Sequence, residues 1–469
     1  MTSQHTHRRR GMMLGMAAVA GLAAVAAQPA LAAHPATSDP ASSGEDISGT
    51  VTFWHAYSAD SPEVDTLENT IIPGFEQLHP DVDVQSVPVP YDDLHQKLVT
   101  AVAGGELPDL VRSDIIWVPE LANLGVLVPL DTDMSDFQSY ADQMYPGPLA
   151  TNLWDGHYYG LPLDTNTRVM MYNADTLAAA GLDAPPATFD DLTADAAKFT
   201  SGDTYLFADN GTSGWNLLPW IWSGGGDVTD EGVTTSTGYV NSPETVAAVQ
   251  MLVDLHQQGA IPDLILGDAG GTPTSEGLAT GSYATILDGP WMFPIFADQY
   301  PDFQLQTAPV PAGAGGSVSV VGGESVVLTQ SSDNKPAATE FMRYLLSKDA
   351  QLAMAGVGQM PVLSALGDDV TSIHDYYGVF VDQLASARPR PQTPAWPQID
   401  QVLQAQTQLA FRGDATVQEA LDGAAEQIDA LLAQYNGCVD AAEHADRAVT
   451  RPVRPVSSGR TERGTRWRR

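Results

Sequence analysis

The run VTFWHAYSADSPEVDTLENTIIPGFEQLHPDVDVQSVPV, residues 51–89, decides the fold class. Its two ends read as strands. Val51–Trp54 is short, β-branched and aromatic, and Val82–Val89 alternates apolar and polar positions. Between them Val64, Leu67, Ile71 or Ile72, Phe75 and Leu78 recur at helical spacing, although Pro73 interrupts the pattern. A strand, a helix and a second strand in that order predict a crossover unit and a mostly parallel, helix-covered sheet. The style continues. Leu94–Val102 reads as a short helix, and Asp109–Val111 begins another strand. Arg168–Tyr172 and Ser325–Thr329 read as strands, and 336–354 as one helix. Ser242 before Pro243 caps a helix that Gly259 stops. The capping box Thr416-Val-Gln-Glu419 opens a last helix, with Leu421, Ala424, Ile428, Leu431 and Leu432 on one face and Gly437 at its end. The fold class is α/β.

The chain has 469 residues, enough for two or three domain-sized units; 43% hydrophobic and 17% charged residues fit a globular protein. Residues 1–32 read as a signal peptide. A basic start (Arg8-Arg-Arg10) leads into the Ala-rich apolar run 11–27, and Ala30-Leu31-Ala32 offers the cleavage site. Arg9-Arg10 leaves both the general and the twin-arginine export routes open. Residues 33–46 form a Pro/Ser-rich linker, and 437–469 a disordered basic tail with eight arginines after position 446. The lone cysteine, Cys438, rules out an internal disulfide framework, and no cysteine near the cleavage site is placed to carry a lipid. The expected location is therefore the cell envelope or its exterior, without a lipid anchor.

Between residues 11 and 446, ten basic residues face 57 acidic ones, a net charge near −47. Such a surface repels nucleic acid and anionic membranes. It suits solubility and would also attract a cationic solute. Catalytic and metal signatures are missing: there is no G-x-S-x-G, H-E-x-x-H, C-x-x-C or phosphate-binding loop. No cofactor and no metal ligand set is legible. Paired carboxylates for glycoside hydrolysis are not singled out among the 58 acids.

Aromatic residues carry the positive signal. Trp54-His55-Ala-Tyr57 ends the first strand, and Trp117 follows a strand carrying Asp114. Trp215 follows Ser213-Gly214, Trp291 follows Asp288-Gly-Pro, and Trp396 lies between Pro394 and Pro397. Ligands of open α/β sheets lie beyond the carboxyl ends of strands. A ring there offers a flat face to sugar C–H groups while Asp, Asn, Glu and Arg take the hydroxyls. The opposing reading is core packing, which Trp220 and Trp222 suit better.

Several stretches then converge on one family. VTFWHAYS, the run 97–131 (KLVTAVAGGELPDLVRSDIIWVPELANLGVLVPLD), the run 158–182 (YYGLPLDTNTRVMMYNADTLAAAGL), PWIWSGGGDV, ATILDGPWMFPIF, APVPAG, VVGGESVVL and ARPRPQTPAWPQIDQVL occur in an order that resembles extracellular solute-binding proteins of sugar ABC importers. Maltodextrin-binding proteins belong to that group. The resemblance covers about residues 47–436. It implies a two-lobed, periplasmic-binding-protein-like (type II) fold with three hinge crossovers, closing on sugar as a hinged clamp. One lobe is expected from 47–150 with 325–368, the other from 151–324 with 369–436. By the family pattern, Asp114 belongs to the hydroxyl-binding set of the first lobe. Trp291 is the stacking ring of the second lobe, and Trp215 a further aromatic contact. Asn166 and Arg168 lie close to the cleft, Glu324 at a crossover, and Arg390 and Trp396 face the cleft. His55 and Tyr57 sit where the first strand meets ligand. The resemblance further implies a non-enzymatic monomer that delivers an oligosaccharide to the transmembrane subunits of an ABC permease. A same-fold receptor for a polyamine and a secreted glycosidase are the alternatives.

Overall fold

The computed structural model describes residues 47–57, 61–199, 203–267 and 272–449. The signal peptide, the linker and the tail beyond Val449 lie outside the described residues. In chain order the main strands are β1 (Gly49–His55), β2 (Val82–Pro88), β3 (Leu110–Asp114), β4 (Leu161–Thr167), β5 (Val169–Tyr172), β6 (Tyr205–Ala208), β7 (Tyr283–Asp288), β8 (Gln306–Ala308) and β9 (Val321–Leu328). They form two sheets, ordered β2-β1-β3-β9-β4 and β8-β5-β7-β6.

The opening stretch folds as its pattern predicts: β1 and β2 pair in parallel, with Val51 opposite Val84. The helix between them is a composite. Pro62–Thr66 and Ile72–Leu78 are α-helical, and Leu67–Ile71 is wound as a π-turn just ahead of Pro73. Proline lacks the amide proton and crowds the carbonyl four residues back, so a local widening relieves the strain without breaking the helix.

The chain passes between the sheets where β4 runs through Arg168 into β5, and returns between β8 and β9. The helix Tyr377–Leu384 touches both β4 and β5 and lies on the third passage. The lobe boundaries shift accordingly. β9 pairs with β4 from Val321–Thr167 to Val326–Leu161, so residues 161–167 and 321–324, expected in the second lobe, belong to the sheet of the first.

Two further expectations are corrected. The single helix at 336–354 is two, Lys335–Leu345 and Lys348–Ala355; Ser347 starts the second by accepting from the Ala350 amide at 3.3 Å. Ser competes for backbone hydrogen bonds and favours caps over helix interiors. The last helix does not stop at Gly437 but runs Val417–Val449. Its sequence is rich in alanine, a strong helix former, which offsets the two interior glycines Gly423 and Gly437. Its capping box is present: Glu419 N donates to Thr416 Oγ1 at 3.2 Å, and Thr416 N donates to Glu419 Oε2 at 3.0 Å. Thr416→Ala is expected to cost about 1 kcal/mol, read as a lowered midpoint in denaturant unfolding.

Phe53 and Phe341 of the first lobe, Ile286 and Phe296 of the second, and Tyr377 and Phe380 between them share one buried cluster. A second cluster covers the other face of the second sheet and includes Trp220, Trp222 and Trp396. The packed sides of the sheets leave strand ends and crossovers to carry polar residues.

Candidate functional site

The site is built where β7 ends. Asp288 is the last residue of β7, opposite Val169, and its Oδ1 accepts the Gly289 amide at 2.8 Å. Pro290 then turns the chain, and the helix Met292–Gln299 starts directly after Trp291. The Trp291 ring folds back over Gly289: a Cβ there would lie 2.1 Å from it, so the ring position requires glycine. Trp215, near the start of the helix Gly214–Ser223, is seated in the same manner. Its ring lies over Gly322 of β9, where a Cβ would come within 2.7 Å of it and 2.1 Å of Asn166 Oδ1. The two half-buried rings are tilted by 32° with centroids 6.2 Å apart, in aromatic contact with each other.

Arg168, at the first crossover, ties the backbone of Trp215 to the end of β7. Its Nη1 and Nη2 each bond Asp209 at 3.0 Å. Nη1 also donates to the Trp215 carbonyl at 3.2 Å, and Nη2 to the Leu287 carbonyl. Asp209 is further held by the Asn210 amide at 2.9 Å and by Asn216 Nδ2 at 2.8 Å. Arg168, expected beside the ligand, therefore positions the aromatic surface through backbone carbonyls.

The first lobe faces this surface through Asp114. Its Oδ2 accepts from the Tyr91 hydroxyl at 2.6 Å and its Oδ1 from the Ile116 amide at 2.9 Å. Arg390 Nη2 is 3.5 Å from the same carboxylate, and its guanidinium lies 5.6 Å from the Trp215 ring centroid. The chain Asp114–Arg390–Trp215 thus joins the carboxyl end of β3 to the second-lobe aromatics. Tyr91 is 46% exposed and packs beside Trp117 at 5.5 Å. Asn166 Oδ1 and Arg390 Nε are buried with no hydrogen-bond partner in the protein. Arg168 Nε is in the same state.

A third group lies deeper, in the first lobe. Arg112 bonds Asp164 through Nε at 3.1 Å, and Glu324 and Gln359 through Nη2 at 2.7 and 3.2 Å. Its guanidinium stacks 4.1 Å from the Tyr57 ring centroid. Gln359 in turn holds Glu63. Burial pushes the Glu324 carboxyl well up, against the opposing charge of Arg112 and with the help of Asp164. Burial and the Arg112 charge lower His55 to about 3, so the imidazole is neutral; its Nε2 is 2.8 Å from Ser86 Oγ.

Of the ten residues expected at the ligand, the structure gathers Trp215, Trp291, Asn166, Asp114 and Arg390 at the lobe junction, with Arg168 beneath the two rings. His55 and Tyr57 are instead buried against Arg112, and Glu324 is its ion-pair partner. Trp396 is corrected to a core residue: it is 1% exposed, and its ring packs on Gly214, below the helix that carries Trp215. It is the first residue of the helix Trp396–Arg412, and Pro397 in the first turn suits that start. Tyr91, Arg112, Asp164 and Asp209 escaped sequence reasoning. Arg112 carried a signal, a charge inside the apolar strand Leu110–Asp114, which requires a buried partner.

Comparison with known proteins bears directly on this geometry. The model of the bacterial extracellular solute-binding protein family matches residues 58–352. The GacH receptor of Streptomyces glaucescens, solved unliganded and with acarbose, is 26% identical, with a TM-score of 0.74 over 83% of this chain and 100% of that one. The cyclic α-maltosyl-1,6-maltose binding protein of Arthrobacter globiformis is 27% identical, with a TM-score of 0.69 over 82% of this chain and 99% of its own. The sn-glycerol-3-phosphate-binding periplasmic protein UgpB of Yersinia pseudotuberculosis is 23% identical over 82% of this chain and 92% of its own. No helix among the described residues is long and apolar enough to cross a membrane. Two sheets joined by crossing strands, polar groups gathered at the junction and a family match over most of the folded chain lead to one conclusion: this protein belongs to the bacterial extracellular solute-binding protein family.

Proposed function

We propose that the protein is the extracellular receptor of an ABC importer, capturing an uncharged oligosaccharide of maltodextrin type between its lobes for delivery to a membrane permease. It acts as an exported monomer without a lipid anchor, does not bind nucleic acid and does not turn its ligand over. The observation that carries the reading is the Trp215–Trp291 surface beside arginines that are each already paired with a carboxylate. Arg112 pairs with Asp164 and Glu324, Arg168 with Asp209, and Arg390 faces Asp114. Flat apolar faces beside neutralised donors and acceptors suit sugar rings and hydroxyls. A phosphate ester would find its cationic partners already matched by carboxylates. The relatives that bind acarbose and a cyclic maltosyl-maltose favour the sugar; the glycerol-phosphate relative marks the competing class.

Isothermal titration of the purified exported protein tests the choice. Maltotriose is expected to bind at micromolar or tighter Kd, about −8 kcal/mol, while sn-glycerol 3-phosphate and spermidine release no binding heat. Binding of either of the latter with silence toward sugars overturns the reading. Release of reducing sugar on prolonged incubation with maltotriose would overturn the non-enzymatic part.

A further inference from the structure

We propose that Asp400 is a positioning residue for the Trp215 ring, acting through the first turn of the helix Gly214–Ser223. The inference rests on the reading of Trp215 and Trp291 as a ligand platform. A helix leaves its first amides without partners of its own. Ser213 stands at the cap position, yet its hydroxyl makes no bond to those amides and donates to Asn216 Oδ1 at 3.1 Å. The Gly214 amide donates instead to Asp400 Oδ1 at 2.5 Å, on the helix Trp396–Arg412. Pro219, inside the Trp215 helix, has no amide proton, so the Trp215 carbonyl four residues before it lacks its usual donor. Arg168 Nη1 takes that place at 3.2 Å. Two backbone groups that flank the Trp215 Cα, and that the helix itself leaves without partners, are therefore held by side chains of two other elements.

Trp396 and Asp400 are one turn apart on their helix and meet Gly214 together. A Cβ on Gly214 would lie 2.7 Å from Asp400 Oδ1 and 2.9 Å from the Trp396 ring. The ring supplies an apolar wall and the carboxyl group an acceptor. Apolar contact is non-directional and by itself lets a helix slide or turn. A hydrogen bond has a preferred line, so Asp400 fixes the rotation of the first turn. That rotation decides where Trp215 points, because its ring must meet both Gly322 of β9 and the Trp291 ring. Arg168 does not replace Asp400: it offers only donors, and the Gly214 amide needs an acceptor.

The test is maltotriose affinity, by isothermal titration, for the wild type, Asp400→Ala, Asp400→Asn, Gly214→Ala, Trp215→Ala and Asp400→Ala/Trp215→Ala, with circular dichroism to confirm folding. Asp400→Ala is expected to raise Kd about fivefold, within the range that one hydrogen bond contributes. Asp400→Asn keeps a carbonyl acceptor for the Gly214 amide, so its Kd should stay within about twofold of the wild type. Gly214→Ala displaces the same carboxyl group from the other side. Alanine is the better helix former, yet Kd should rise as in Asp400→Ala. Once Trp215 is alanine, removing Asp400 should change Kd by less than about twofold, since no ring is left to position. A merely structural contribution of Asp400 would not depend on Trp215 in this way. Wild-type affinity in Asp400→Ala or in Gly214→Ala, with weakened binding in Trp215→Ala, overturns the inference and leaves the platform standing. An equal loss with and without the Trp215 ring, or no rescue by Asp400→Asn, overturns it as well. Unchanged affinity in Trp215→Ala removes that ring from the platform and the inference with it.

Discussion

Arg168→Met is expected to cost about 3–5 kcal/mol of folding stability, the loss typical of breaking a buried ion pair from one side. Arg168 and Asp209 are each 2% exposed, so the change strands a carboxylate in the interior of the second lobe. It also removes the donors to the Trp215 and Leu287 carbonyls. Burial already opposes the charge of Asp209, and Arg168 is the main force that offsets it. Denaturant unfolding measures the loss, and a decrease under about 1 kcal/mol would show that the pair is not the anchor described here. Removing both charges in Arg168→Met/Asp209→Leu should recover much of the stability, since the stranded charge is gone. Affinity should not recover with it, because the Trp215 and Leu287 carbonyls still lack their donor.

Trp291→Ala is expected to weaken maltotriose binding at least about tenfold, a loss of about 1.4 kcal/mol, in a chain that stays folded. The ring is half-buried and seated on a turn fixed by backbone contacts, so its removal exposes a surface and does not empty the core. Trp215→Ala should act in the same direction. The rings touch, with centroids 6.2 Å apart, so the double replacement should lose less affinity than the two single losses combined. Unchanged affinity in Trp291→Ala would contradict the platform.

Local patterns carried most of the fold. Periodicity in residues 51–89 yields the parallel β1–β2 pair because two-residue and helical repeats report which face is buried. Caps at Ser242 and Thr416 are equally local and equally legible. The passage of β4 into β5 is not local. Leu161–Thr167 is buried throughout and shows no alternation, and only its pairing with β9 assigns it to the first sheet. The site divides along the same line. Trp291 and Trp215 stand beside turn residues, so their unusual placement shows in the sequence. Trp396 stands beside prolines too, yet it is core, because a turn reveals a ring's position but not its direction. Tyr91 meets Asp114 across 23 positions and Arg112 meets Glu324 across 212, separations at which no spacing rule operates.

The most direct test of sugar capture on this surface is intrinsic tryptophan fluorescence during titration with maltotriose, comparing the wild type with the Trp215→Phe/Trp291→Phe double variant. Trp220, Trp222 and Trp396 are at most 2% exposed and should respond weakly. The wild type is expected to show a saturable change with a Kd in the micromolar range or below. In the double variant that change should disappear. The same saturable change with the same Kd in the double variant would place the ligand elsewhere and contradict the account.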